Sequence, residues 1–395
     1  KKILLVWLAF VLAHQVSAQF STAASTLERH VHTLASDSLL GRGFGTPQGS
    51  SAAAYIATQM EEAGLEPLNG SYFHFFNHRQ GILNIPGTNV VGIIPGSDPE
   101  LREEYIVLGA HFDHLGWKIA EGDTVVYNGA DDNASGTAAI LEIGRHLAAS
   151  RESLGRSIVI AAFDGEESGL IGSTWFVENS LVPPHQIKLM FSLDMVGMYE
   201  KNGGLDMVGV KLLTNYEEIV RELAGQYGIT VTKANKSIGQ RTDTAPFGNI
   251  GIPAIHAYTG LESPYHKPED TPSKLDYEGM ARVADYVSAA TLQLSGQEVI
   301  SELPPLEEGQ VTAKTQVFRP GVRLNMGSSH YNYREEPILG KSILAWEAGV
   351  FGNIQLARFL MLQPEVLYES KGSQNFSGNF RTHSLTTPLN LLLTT

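Results

Sequence analysis

Runs that are apolar at nearly every position recur through the first three hundred residues: Asn89–Pro95, Tyr105–Ala110, Ile158–Phe163, Leu189–Leu193 and Ile252–Tyr258. Continuous rather than alternating apolarity predicts strands covered on both faces. Between and before these runs, apolar residues recur at helical spacing over 24–36, 46–64, 135–149, 214–226 and 275–295. In the second of these, Ala53, Tyr55, Ile56, Met60 and Ala63 share one side, and Gly64 follows as a stop. The alternation predicts an α/β fold with a mostly parallel central sheet flanked by helices. Near residue 300 the rhythm changes. The proline- and acid-rich SELPPLEEGQ leads into 320–328, 342–356, 359–370 and 384–394, where the period is two. In 342–356, Leu344, Trp346, Ala348 and Val350 alternate with Ala345 and Glu347, the pattern of a short antiparallel β segment with one apolar face.

The N-terminus adds a separate element. Residues 1–18, KKILLVWLAFVLAHQVSA, pair two lysines with a short apolar stretch and end in Ser17 and Ala18, which predicts a cleaved signal peptide and an exported protein, periplasmic or extracellular. The expected organisation is therefore signal peptide 1–18, catalytic domain 19–299, linker 300–318 and β segment 319–395. At 43% hydrophobic and 18% charged residues, the 395-residue chain is a folded globular protein rather than a disordered one. A formal charge of -14 without a Lys/Arg cluster argues against nucleic acid as a partner. No cysteine is present, so disulfides and thiolate metal sites are excluded, and a metal would need His, carboxylate, backbone or water ligands.

Those ligand types gather where the apolar runs end. His111 and Asp113 follow YIVLGA, Glu166 and Glu167 follow IVIAAFDG, and Asp194 follows LMFSL. Asp131 and Asp132 lie in GADDNASG just before a helix, and His266 and Asp270 lie in YHKPEDT. In an open α/β sheet the carboxyl ends of the strands form one edge, so such residues can meet in a single crevice. Singly, each has an ordinary reading: a structural histidine at 111, a helix N-cap at 132 or 133, a solvated Glu pair at 166–167. Jointly, His111, Asp132, Glu167, Asp194 and His266 make a ligand set for two divalent cations, with Glu166 as a free carboxylate beside them. Three carboxylates and a bridging hydroxide nearly balance two divalent charges. Two metals and one base suit amide hydrolysis at neutral pH.

In the order and spacing of HFD, DDNASG, EESG, LDMVG and YHKPEDT, residues 24–298 resemble the co-catalytic di-zinc aminopeptidases, a zinc exopeptidase family that also includes glutamate carboxypeptidases and glutaminyl cyclases. GTPQGSSAAAYIATQMEEAGLEP and AIHAYTG fit the same pattern. The resemblance implies the zinc exopeptidase (phosphorylase/hydrolase-like) fold and two Zn²⁺ per chain. One zinc would take His111 and Asp194, the other Glu167 and His266, with Asp132 bridging them. It further implies that Asp113 orients His111. Glu166 would be the general base for a metal-bridging hydroxide that cleaves the N-terminal bond of peptides with a free N-terminus. The family's usual Ser/Asp-Asp-His-x-Pro-Phe segment reads Thr242, Asp243, Thr244, Ala245, Pro246, Phe247, so a threonine replaces its histidine. The runner-up activities are a single-zinc glutaminyl-peptide cyclotransferase and a non-catalytic peptide-binding relative. Residues 319–395 resemble part of a small outer-membrane β-barrel, which implies an outer-membrane association through that segment.

Overall fold

The computed structural model describes residues 20–80, 83–308, 319–329, 341–357, 360–375 and 378–393. The expected signal peptide lies outside the described residues, as does 309–318 of the expected linker. The chain divides into two compact units, Lys1–Ala313 and Lys314–Thr395.

The first unit is an α/β sandwich. Its strands are β1 (Glu66–Pro67), β2 (Phe73–Gln80), β3 (Leu83–Ile94), β4 (Tyr105–His111), β5 (Trp117–Ala120), β6 (Asp123–Val126), β7 (Ser157–Phe163), β8 (Ile187–Leu193), β9 (Leu205–Val208), β10 (Val231–Ala234) and β11 (Ala254–Tyr258). β5 and β6 form a separate hairpin; the others form one sheet in the order β1-β3-β7-β4-β8-β11-β9-β10, with β2 on β3. Its centre, β7-β4-β8-β11, is parallel. The margins at β3 and β9 are antiparallel. The five apolar runs fall on β3, β4, β7, β8 and β11. The mostly parallel α/β reading therefore holds where it matters for the site.

Both faces of the central strands are covered, as continuous apolarity requires. Ile106, Leu108, Ile158 and Ile160 join the core under helices α1 (Ala24–Leu34), α2 (Pro47–Glu62) and α3 (Gly136–Ala149). Val107, Val159 and Ala161 point the other way, into a core that includes Phe176 of α4 (Ile171–Glu178). The long α5 (Tyr277–Ser295) packs with α1 and α3 on the first face. Local chemistry fixes the helix starts. Thr46 Oγ1 accepts from Gly49 N at 3.1 Å with Pro47 at the first position, and Asp276 accepts from Gly279 N at 2.9 Å. Gly136 opens α3 against the end of β8, where a Cβ would lie 2.2 Å from Leu193 O. That close approach brings the α3 loop, with Asp132, beside Asp194.

The second unit is one antiparallel sheet of β12 (Arg319–Ser329), β13 (Lys341–Ala357), β14 (Leu360–Asn375), β15 (Gly378–Thr386) and β16 (Leu389–Leu393). Its order is β12-β13-β14-β15, with β16 pairing the first residues of β14. The period-two reading anticipated four strands; the extra one, β15, is polar at most positions and carries little hydrophobic signal.

Candidate metal centre

Each ligand candidate is placed by a strand end or a fixed loop. His111 is the last residue of β4, Asp194 follows β8 directly, and Glu166 and Glu167 lie just past β7. Asp132 sits in the turn before α3, and His266 in the loop after β11 with a positive φ of 59°. Gly129 opens the Asp132 turn at φ 57°; a Cβ there would sit 2.5 Å from the His114 ring.

These residues converge. His111 Nε2 lies 3.3 Å from Asp132 Oδ1 and 3.5 Å from Asp194 Oδ1. His266 Nε2 lies 3.1 Å from both Asp132 Oδ2 and Glu167 Oε2. Asp132 thus offers one oxygen to each of two clusters. The spacing has a physical meaning, because ligand atoms bonded to tetrahedral zinc at about 2.0–2.1 Å are separated by about 3.3–3.4 Å. A second test is satisfaction of buried polar atoms. Among the described residues, Glu167 Oε1 and Asp194 Oδ1 are buried with only ring nitrogens of the same cage nearby, His114 Nδ1 and His111 Nε2, and neither oxygen makes a hydrogen bond, a costly state unless a cation completes them. Donor type, spacing and orphaned oxygens all fit divalent metal.

The surrounding polar groups hold the cage in shape. Asp270 accepts from the main-chain N–H of Asp131 at 2.9 Å and of Asp132 at 3.1 Å. Asn133 takes the capping work that Asp132 might have done, accepting from Gly136 N at 2.9 Å. It also brackets Asp194, donating to Leu193 O at 3.0 Å and accepting from Met195 N at 3.2 Å. Asp113 was expected to orient His111, and its strongest contacts lie elsewhere. Its main-chain oxygen is 3.2 Å from His111 Nδ1, nearer than its carboxylate at 3.7 Å. The carboxylate accepts from Glu166 N at 3.0 Å and Glu167 N at 3.4 Å, so it also sets the two glutamates.

Two residues went unassigned in the sequence reading. His114 is fully buried, with Nδ1 2.8 Å from Glu167 Oε1, and groups with Asp132 and Glu167 as a metal-capable cluster. Arg42, also fully buried, donates to the carbonyls of Leu34, Phe112, Asn128 and Gly129. It joins the end of β4 to the Asp132 loop. No local signal marks Arg42, whereas His114 stands in the same GAHFDHLG motif as His111 and Asp113.

The electrostatics follow from crowding acids away from water. Burial, helped by Asp243, Asp194 and Asp113 and opposed by His111, pushes Glu166 up to about 9. Burial likewise takes Asp243 and Asp131 to about 7. At His111 burial works against the charge, yet Glu166, Asp113, Asp132 and Asp194 together raise it well above the usual histidine range. At Asp132 burial is outweighed by His111 and His266, and the carboxyl is held far below its usual value. Both carboxylate oxygens of Asp243 are buried and unpartnered among the described residues. It is the acid of the segment in which Thr244 stands for the family's histidine.

Residues 89–291, about half the chain, match the sequence profile of Peptidase family M28. A probable glutamate carboxypeptidase VP8 of Zea mays is 32% identical over 215 residues, covering 48% of this chain and 27% of that protein. A probable leucine aminopeptidase of Trichophyton verrucosum is 28% identical over 219 residues, covering 52% and 57%, and aminopeptidase YwaD of Bacillus subtilis is 28% identical over 224 residues, covering 54% and 46%. The chain spans about half the length of these relatives, or less. Among solved structures, LapB of Legionella pneumophila superposes with a TM-score of 0.55 at 24% identity over 70% of this chain and 73% of that one. A zinc aminopeptidase of Bacillus subtilis gives 0.56 at 19% over 71% and 98%. These superpositions agree with the α/β architecture. The profile match contains His111, Asp132, Glu166, Glu167, Asp194 and His266 on their strand ends and loops, and the chain belongs to peptidase family M28.

Proposed function

We propose that the protein is an exported di-zinc aminopeptidase acting on peptides with a free N-terminus. The observation that carries this reading is Asp132, whose two oxygens face two separate His/carboxylate clusters. His111 and Asp194 would hold one zinc, Glu167 and His266 the other, and Asp132 both. Bound zinc supplies Lewis acidity, making water nucleophilic near neutral pH and polarising a carbonyl. Glu166 stands on the same loop as Glu167, fixed by Asp113 through its main-chain N–H. From there it takes the proton of the attacking water and returns it to the leaving amine. The surplus of carboxylates around the cage favours a cationic substrate group such as a free α-amine. Export rests on the signal-peptide pattern of residues 1–18.

The test is Glu166→Ala. Zinc content by elemental analysis should stay at two per chain while kcat on aminoacyl anilides falls by about 10²–10⁴. Unchanged turnover would refute the assignment of the base. Parallel assay of a peptide with N-terminal glutamine separates peptide hydrolysis from cyclisation.

A further inference from the structure

The second unit has its faces reversed relative to a water-soluble sheet. By register, Val322 on β12 pairs with Val350 on β13, which pairs with Val366 on β14, and Met326 pairs with Trp346. These side chains share one face with Leu324. They are 36–83% exposed, Val322 at the upper end and Trp346 at the lower. At on the order of 100 Å² each, with Leu344, Tyr368 and Leu385 on the same face, the patch reaches roughly 900 Å², above the few hundred a soluble monomer shows.

The opposite face is mostly polar and paired, with Ile343, Phe351 and the buried Leu367 among its charged and hydroxylic side chains. Arg323 donates to Glu365 at 2.6 Å, Asn390 donates to Glu365 at 2.7 Å, and Asn325 donates to Glu347 at 2.8 Å. The Glu365 side chain is wholly buried. Ser329 on this face of β12 exchanges hydrogen bonds of 2.7 and 2.8 Å with the backbone of Gly372 on β14, two strands away. The sheet is therefore curled with its polar face inside and its apolar face outside. A soluble β-sandwich would bury the apolar face; polar inside and apolar outside is the arrangement of a β-wall in lipid.

Length and side-chain zoning agree. β13 and β14 have 17 and 16 residues, more than the roughly 9–11 that a tilted strand needs to cross the hydrocarbon core. Along β13 the apolar positions Leu344 to Val350 rise about 20 Å at roughly 3.4 Å per residue. Trp346, Tyr368 and His383 lie side by side across three strands, the first pair tilted at 5.5 Å and the second stacked at 5.8 Å between ring centres. On the same face Ser370 stands in register between Trp346 and His383, Arg381 lies one pair further on, and Leu344 continues the apolar side of β13. An aromatic row near the end of an apolar band is the kind of arrangement found at a membrane interface.

We propose that the apolar face of β12–β16 contacts the acyl chains of a lipid bilayer, with the odd-numbered positions of β12 and β13 turned away from lipid. Because the chain lacks cysteine, single probes can be placed without background. Leu324→Cys, Asn325→Cys and Met326→Cys variants of the full chain, each carrying an environment-sensitive fluorophore, are transferred from detergent into dilauroylphosphatidylcholine vesicles. Expected is quenching by acyl-chain nitroxide lipids at least about threefold stronger at 324 and 326 than at 325. Leu324→Lys should also cut the vesicle-bound fraction at least about tenfold, and Asn325→Lys should not. Equal quenching at all three positions overturns the proposal. So does a face shielded from water but unquenched by lipid, together with a dimer in sedimentation velocity, which would assign the face to a second copy. A full chain that stays monomeric and vesicle-free overturns it as well.

Discussion

Arg42 offers the sharpest test of how the site is held together. Its guanidinium is wholly buried and reaches four carbonyls, two of which, Phe112 and Gly129, flank the His111 strand end and the Asp132 loop. Burial lowers its pKa to about 10, opposed by Asp270, Asp132, Asp113 and Glu167, so it remains charged at neutral pH. Arg42→Lys keeps that charge but replaces a planar fork with a point donor. An ammonium has three donors for four oxygens, so at least one carbonyl would be left buried without a donor. At about 1–3 kcal/mol, that loss is a sizeable share of a typical domain's 5–15 kcal/mol. The variant should therefore melt at least about 2 °C lower by calorimetry. Its zinc affinity should also fall, because the two loops carrying His111 and Asp132 lose their common anchor. A variant that melts with the parent and titrates with the same two zinc sites would show that charge alone, not the fork, is what position 42 supplies.

Other perturbations separate local from shared roles. On the proposed two-zinc reading, His114→Gln should weaken the ion beside Glu167 by about 10–100-fold and leave the other nearly unchanged, as expected for a ring that clusters with Asp132 and Glu167 alone; competitive titration with a chelator resolves the two. His30 is buried between Tyr55 at 2.7 Å and Glu142 at 3.1 Å, and burial lowers its pKa to about 4. Because the folded value lies below the usual 6.5, the unfolded chain binds the proton first. Stability is thus present above pH 6.5 and lost as pH falls toward 4, by on the order of 3 kcal/mol. Urea unfolding in chelator at pH 7 and pH 4.5 should show this loss in the parent and not in His30→Gln.

Much of the fold was legible because the central strands are apolar on both faces and the ligands stand where those strands end. The edges were not. β2, FHFFNHRQ, mixes aromatic and polar residues because only alternate side chains are buried, and β9 and β10 are four residues each. At the site, Asp132, Glu167, Asp194, His111 and His266 were readable as a string of motifs, and the structure brings all five together. His114 is readable as a further contact in the same GAHFDHLG motif but stayed outside the ligand set, and strand alternation would turn it away from His111. The chain leaves β4 at His111, so that rule stops applying one residue before Phe112. Arg42 escaped for another reason: a buried arginine bonded to carbonyls has partners chosen by tertiary packing, and its own segment, with positive φ at Leu40, Gly41 and Arg42, carries no periodic signal.

The cage also explains why those supporting residues are polar at all. Asp113, Asp131, Asp132, Asp194, Asp243 and Asp270 crowd one strand edge with Glu166 and Glu167, and Arg42 is the buried guanidinium beside them. Left to themselves, so many acids in low dielectric keep protons, and Glu166 at about 9 and Asp243 at about 7 show that cost. An arrangement that pushes its own carboxylates toward neutrality destabilises the fold unless positive charge arrives. Divalent cations between His111 and His266 would reverse the balance, ionising the acids and drawing the two histidines into neutral, ligating forms. The same step that completes the ligand shells would thereby convert Glu166 from a protonated acid into a base. On the proposed two-metal reading, cation binding and the readiness of Glu166 as a base would be coupled, because Asp194, one of the proposed ligands, adds to the burial that holds the Glu166 proton.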